Sequence, residues 1–174
     1  IIDLSNLPGP ITAADVSYYT GSAYQFTTAH NIFMDENGHA YITGANNGVG
    51  GAIILDVSST PLAPVELGRY NDFYLHDIFV RGDSLWGGAI NDGFFTVTDV
   101  SDPMNCVTMA THLTPSTFSH NVWLSDDGNT LYTTDEVSNA YVASYDVSNI
   151  GNIVELDRIQ SSPGQNVIPH NTFV

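Results

Sequence analysis

Apolar residues along this chain come in short runs that alternate with polar ones, at the period of two expected of half-buried strands. Ala40-Tyr41-Ile42-Thr43, Gly51-Ala52-Ile53-Ile54-Leu55-Asp56 and Leu131-Tyr132-Thr133-Thr134 are examples. Gly, Asn and Asp clusters separate the runs, and β-branched and aromatic residues dominate them. No stretch carries the three-to-four residue spacing of an amphipathic helix of useful length. The chain therefore reads as all-β.

Aligning the runs uncovers a repeat. His30-Asn31-Ile32-Phe33-Met34, His76-Asp77-Ile78-Phe79-Val80, His120-Asn121-Val122-Trp123-Leu124 and His170-Asn171-Thr172-Phe173-Val174 share one order: His, then Asn or Asp, an aliphatic residue or Thr, an aromatic, and an apolar residue. The intervals between the histidines are 46, 44 and 50 residues. After each full copy comes a tight-turn signal, Asp35-Glu36-Asn37-Gly38, Arg81-Gly82-Asp83-Ser84 or Asp126-Asp127-Gly128-Asn129, where Gly supplies positive φ. A second strand follows, then a third that ends on Asp-Val-Ser (Asp56-Val57-Ser58, Asp99-Val100-Ser101, Asp146-Val147-Ser148), with Asp3-Leu4-Ser5 as a weaker copy. An Asp in that place accepts backbone N–H bonds in an Asx turn, a structural role. A fourth strand closes each unit: Pro64–Tyr70, Cys106–His112 and Ile153–Ile159.

Four short strands per unit of about 45 residues is the period of a β-propeller blade. The predicted division is the end of a preceding blade over 1–29, complete blades over 30–75, 76–119 and 120–169, and the first strand of a further blade over 170–174. A section of a larger propeller fits this better than a ring closed from its own two ends, because the broken blade lacks a second strand. The opening Ile1-Ile2-Asp3 reads as that of a mature or internal piece.

Composition narrows the function classes. Three Lys and Arg stand against 19 Asp and Glu, a formal net charge of −16. Such a surface repels phosphate backbones, so nucleic acid is not an expected partner, whereas cations are attracted. No apolar run reaches the roughly 20 residues of a membrane helix. A single cysteine, Cys106, excludes an intrachain disulfide and a thiolate cluster. There is no Gly-x-Ser-x-Gly elbow and no phosphate-cradling loop ahead of a helix. Arg81-Gly82-Asp83 matches an adhesion tripeptide but occupies an ordinary hairpin-turn position.

The units resemble LVIVD repeats of bacterial surface propellers, the choice-of-anchor B family. Ile53-Ile54-Leu55-Asp56-Val57-Ser58, then Pro61 and Pro64-Val65-Glu66-Leu67, is similar to that family's core pattern, and Ser119-His120 through Leu124 with Asp135-Glu136 is similar to its His-led strand and acidic pair. Thr98 and Asn105-Cys106-Val107 depart from it at edge positions. The resemblance implies a secreted or cell-surface protein; it brings no common activity. A weaker likeness, over Leu75-His76-Asp77-Ile78, is to selenium-binding, methanethiol-oxidising propellers.

The candidate chemistry is at the repeated histidine. First strands line the axis of a propeller, so His30, His76, His120 and His170 are predicted to converge there, with Asp77, Asp135 and Glu136 as further ligands. Imidazoles suit Zn, Cu or Fe, and the carboxylates suit Ca. The competing expectation is structural: a His-Asn pair hydrogen-bonding the next blade, duplicated with it, and in a ring of six or more blades neighbouring histidines stand too far apart to share an ion. Two functions follow. One is a secreted or surface scaffold that binds a protein or glycan, with or without a divalent metal near the axis. The other is a metal-dependent oxidoreductase with an axial His-ligated centre.

Overall fold

The computed structural model describes residues 1–23 and 25–174. Three four-stranded antiparallel sheets follow one another along the chain, each in simple sequential order. The first holds β1 (Asn31–Met34), β2 (His39–Thr43), β3 (Ala52–Asp56) and β4 (Val65–Tyr70). The second holds β5 (Ile78–Arg81), β6 (Ser84–Ala89), β7 (Phe94–Asp99) and β8 (Val107–Leu113). The third holds β9 (Ser119–Leu124), β10 (Thr130–Asp135), β11 (Val142–Asp146) and β12 (Val154–Ile159). This is the up-and-down order of propeller blades, and the all-β, four-stranded expectation is met. The only helical element among the described residues is a 3-10 turn at Ala13–Asp15, capped by Thr12. None of the described helices is long and apolar enough to cross a membrane.

Burial is greatest in the middle strands, and β1 on the inner side of the first blade is largely exposed. β3 and β6 are almost wholly buried, whereas β8 and β12 are alternating or exposed. The sheets pack face to face. Tyr41 and Ile54 of the first meet Ile78, Val80 and Leu85 of the second. Phe79, Trp86, Phe95 and Val97 of the second meet Val122, Leu131 and Tyr145 of the third. A bulge recurs at one place in every blade, at Ile54/Leu55, Val97/Thr98 and Ser144/Tyr145, so the third and fourth strands bend alike in all three.

The Asp-Val-Ser motif has the geometry its residues imply. Backbone N–H of Ser58, Ser101 and Ser148 donates to Asp56, Asp99 and Asp146 at 2.8, 2.9 and 3.0 Å, and Ser5 does the same to Asp3 at 2.9 Å. Ile2 forms an isolated antiparallel bridge with Val16. The Arg81-Gly82-Asp83 turn is likewise put to use between blades: the Arg81 guanidinium donates to the carbonyls of Ser125 and Asp126, at 2.7 and 3.2 Å, and lies over the Phe79 ring.

Candidate metal site on the propeller axis

The repeat becomes a set of ladders across the blades. His30, His76 and His120 stand at or beside the starts of β1, β5 and β9, and His170 lies in the chain that follows β12. His30 and His76 are pinned there by backbone bonds of their N–H groups to Thr43 and Gly88 carbonyls, both 2.8 Å. The aromatic residue three places on forms one ladder. Phe33 meets Phe79 at 5.4 Å between centroids, Phe79 meets Trp123 at 5.0 Å, and Trp123 meets Phe173 at 4.8 Å. The imidazoles form a second, tighter one. His30–His76, His76–His120 and His120–His170 are separated by 3.6, 4.3 and 4.1 Å. Neighbouring histidines are thus in contact, and the distance objection raised by ring size does not apply between adjacent blades.

Between these ladders lies a hub that the sequence reading missed. The residue after the His is Asn in three copies and Asp in one, and the three amides converge on that one carboxylate. Asn31 donates to Asp77 Oδ1 at 2.5 Å, and Asn121 and Asn171 donate to Asp77 Oδ2 at 3.2 and 2.9 Å. The signal was the Asn/Asp alternation at one repeat position. His30 Nε2 and His76 Nδ1 approach Oδ1 at 3.9 and 3.7 Å, and His120 Nδ1 approaches Oδ2 at 3.8 Å. These are ion-pair separations, outside hydrogen-bond range. His76 Nδ1 and His120 Nδ1 are buried with no hydrogen-bond partner.

Glu136 stands on another side of the row. His120 Nε2 lies 3.5 Å from Oε2 and His170 Nε2 lies 3.7 Å from Oε1. Among the described residues two groups present ligand atoms within 4.8 Å of one another: His30, His76 and Asp77, and His76, His120 and Glu136. Buried His/Asp/Glu groups of this kind could hold a metal ion.

Asp135 is not in either group, which corrects its expected place as an oxygen ligand beside Glu136. Its fully buried carboxylate accepts from Thr114 Oγ1 at 2.5 Å, Ser116 N–H at 2.7 Å and Phe118 N–H at 3.2 Å, and so ties down the loop that leads into β9. β10 ends at Asp135, and Glu136 lies just beyond it against His120 and His170, so the two carboxylates have different partners. His39 and His112 lie outside the row: His39 Nδ1 is 3.0 Å from Asp35, and His112 Nδ1 is 2.9 Å from the Leu113 carbonyl.

Burial and charge bias the protonation of His30, His120 and Asp77. Burial, then the neighbouring His76, push the His30 and His120 imidazoles below their usual value, against the pull of Asp77 and Glu136. Burial pushes the Asp77 carboxyl up. The nearby His76 ring, the Asn31 and Asn121 amides and the charge of His120 outweigh that and hold it well below the carboxylate range. His30 and His120 are thus held toward the neutral imidazole, the form that binds metal, beside an ionised Asp77. Acid should destabilise this fold. The unfolded histidines take up protons below about pH 6.5 while His30 and His120 in the folded chain resist, so the unfolded state binds more protons and stability falls with pH. Asp77 adds to the loss as pH falls through and below the ordinary carboxylate range. Urea midpoints measured from pH 8 to 5 should be flat above about pH 7 and decline below it; a midpoint that rises on acidification would contradict the assignment.

No protein-family model matches this chain, and no curated protein matches it. Solved structures do. It is similar to Kuenenia stuttgartiensis hydrazine synthase, at 14% identity over 94% of this chain and 42% of that one, TM-score 0.64. It is similar to a functionally unknown protein from Desulfotomaculum acetoxidans, at 14% identity over 76% of this chain and 42% of that one, TM-score 0.61. The β-propeller domain of Myceliophteria thermophila Cps50 (Swd1) matches at 10% identity over 85% of this chain and 46% of its own, TM-score 0.59. The chain spans less than half the length of each. Likeness at such identities shows the propeller fold and nothing finer.

Proposed function

We propose that this chain is a section of a β-propeller that binds a divalent transition-metal ion at its axis through His76, His120 and Glu136, with His170 beside them, and that it serves as a secreted or cell-surface scaffold for a protein or glycan ligand. The observation that carries the metal reading is the pair of Nε2 atoms, on His120 and His170, turned to one carboxylate that has no tie to the Asp77 hub. Nitrogen-rich donors favour Zn, Cu or Fe over Ca, because Asp135 is spent on the loop and Asp77 on three amides. The net charge of −16 raises the local concentration of any cation. The scaffold and location rest on the LVIVD-like units around Ile53–Leu67 and on the absence of a nucleophile or acid–base pair among the motifs.

One observation favours the oxidoreductase reading as the alternative. His170 is about two-thirds exposed at its side chain and Glu136 one-third, so an ion held here would keep a face toward solvent where a substrate could bind. Elemental analysis of protein purified without chelator decides the metal. Near-stoichiometric Zn, Cu or Fe is expected, falling to background in the His76→Ala/His120→Ala double variant. Protein that stays metal-free after incubation with each ion and desalting would sink the reading. A bound redox-inert ion supports the scaffold; bound Cu or Fe that cycles with an added reductant supports the enzyme.

A further inference from the structure

Resting on the glycan branch of that scaffold reading, we infer that a cavity at the edge of the first blade binds a neutral carbohydrate through Glu66 and Asn71. The cavity has a volume of about 590 Å³, within the range of small-molecule sites. Glu66, Arg69, Asn47 and Asn71 supply its polar groups, and Leu67 and Met104 its apolar surface. Glu66 and Arg69 pair along β4, with Arg69 Nε donating to Oε1 at 2.6 Å and Nη2 to Oε2 at 3.2 Å. Arg69 Nη1 donates to Asn47 Oδ1 at 2.9 Å, and the Asn47 amide donates to the Gln25 carbonyl at 3.0 Å. Ser22 Oγ donates to Glu66 Oε2 at 3.1 Å. The segment ahead of β1 thus closes over the pair, leaving the Glu66 and Arg69 side chains 10% and 15% exposed.

The other blades show that the fold does not require this network. Strand register puts Thr108 and Thr111 at the equivalent positions of the second blade, and Glu155 and Arg158 at those of the third. The second blade forms with no ion pair there at all. The third keeps the same Glu-x-x-Arg spacing, but its two side chains are 25% and 43% exposed, an ordinary solvated pair. Taking both charges out of water is unfavourable, and a buried pair is seldom worth more to stability than packed apolar residues of the same volume. In the first blade the pair is nevertheless withdrawn from water and made the wall of a cavity, which suits recognition and not strand stability.

The groups left uncommitted on that wall define the ligand. The Arg69 bonds hold the Glu66 carboxyl below its usual range, against the opposing effect of burial, so it is ionised and accepts only. Each carboxylate oxygen has two lone pairs. Oε2 uses both, for Arg69 and Ser22, while Oε1 uses one, for Arg69, and keeps the other. Asn71 Oδ1 accepts from Val49 N–H at 3.1 Å, which fixes the amide's orientation and leaves its Nδ2 donor without a partner among the described residues. Gly48, at φ +61°, keeps open the space beside that amide, which a Cβ would enter. One acceptor and one donor on a single cavity match sugar hydroxyls, each of which both donates and accepts. Leu67 and Met104 meet the C–H face of the ring. The ion pair cancels its own charge, so a charged ligand finds no unpaired partner, and the net charge of −16 turns anions away.

The test is saturation-transfer NMR on the full chain with the methyl glycosides of glucose, galactose and mannose, beside glucuronic acid and glucosamine as charged probes. A printed array of neutral, sialylated and sulfated glycans extends it to larger ligands. Neutral sugars should bind and the charged probes should not, and the Asn71 side-chain amide resonances should move on titration. Asn71→Asp keeps the acceptor for Val49 and removes the donor, so affinity should fall about tenfold or more. Glu66→Gln should weaken binding likewise, whereas Glu155→Gln in the third blade should leave it unchanged. The inference is overturned if no neutral sugar binds, if the charged probes bind better, or if folded Asn71→Asp binds as before. Should the variants fail to fold, Asn71 resonances that stay still under bound sugar overturn it without them. Array binding that survives Asn71→Asp would refute the cavity and keep the scaffold reading, while silence from every glycan on the array would refute the glycan branch itself. Metal content of the same preparations tests the axial site apart from both.

Discussion

Gly68→Ala is expected to cost more than about 4 kcal/mol, enough to remove most of the stability of a domain of this size. Gly68 lies next to the bulge of β4, and a Cβ there would stand 1.8 Å from the Pro103 oxygen and 2.2 Å from its carbonyl carbon. Neither can retreat easily. The Pro103 carbonyl accepts from Arg69 N–H at 3.0 Å, and its turn is closed by Asp102, which accepts from Met104 N–H at 3.0 Å and from the Asn105 amide at 2.8 Å. The contact joins the outer strand of one blade to the turn of the next, so the clash would pry two sheets apart across the Tyr41–Leu85 core. Gly128→Ala is the control: its φ is +74°, but nothing lies within 4 Å of the added carbon, so it should cost only about 1–2 kcal/mol of left-handed strain. Equal urea midpoints for the two variants would show that the close approach carries no weight.

Asp135→Ala should be the second most damaging change, at about 3–5 kcal/mol. It would strand the Ser116 and Phe118 N–H groups around a hole where a carboxylate had been, and leave the Thr114 hydroxyl only its longer bond to the Gly93 carbonyl. Glu136→Ala, one residue on, should leave the urea midpoint within about 0.5 kcal/mol and abolish metal retention, since that side chain is partly exposed and contributes only to the site. Stability and metal content measured on both variants separate the roles. The opposite pattern would mean that the acidic pair has been assigned the wrong way round.

The adjacent pair shows how far the sequence could be read. Period and alternation identify the blades and the equivalence of His30, His76, His120 and His170, because these follow from local pattern. That Asp135 holds the 114–118 loop was not open to inference, since it depends on where a distant segment folds back. The Asn31, Asn121 and Asn171 hub is a similar case. The alternation of Asn with Asp at one repeat position was visible, but three amides meeting one carboxylate is a fact about distances across the axis. Gly68 and Gly88 carry no periodic signal at all. Gly88 stands where the other blades have Thr43 and Thr134, whose hydroxyls bond the next blade's His76 and His170 carbonyls at 2.9 and 2.5 Å. A Cβ at Gly88 would meet the His120 oxygen at 2.8 Å, so the second and third blades close more tightly than a Thr would allow.

The lone Asp77 among three asparagines bears on how such an array can diverge by duplication. Asn and Asp have the same outline, so an Asn at position 77 would keep the shape of the hub and erase the one carboxylate on which the three amides converge. A second Asp at the same place would set two carboxylates against each other with fewer amides to hold them. The blades are therefore equivalent in form but not exchangeable in inheritance: drift is tolerated on their outer strands, while at this one position the array must keep a single odd member.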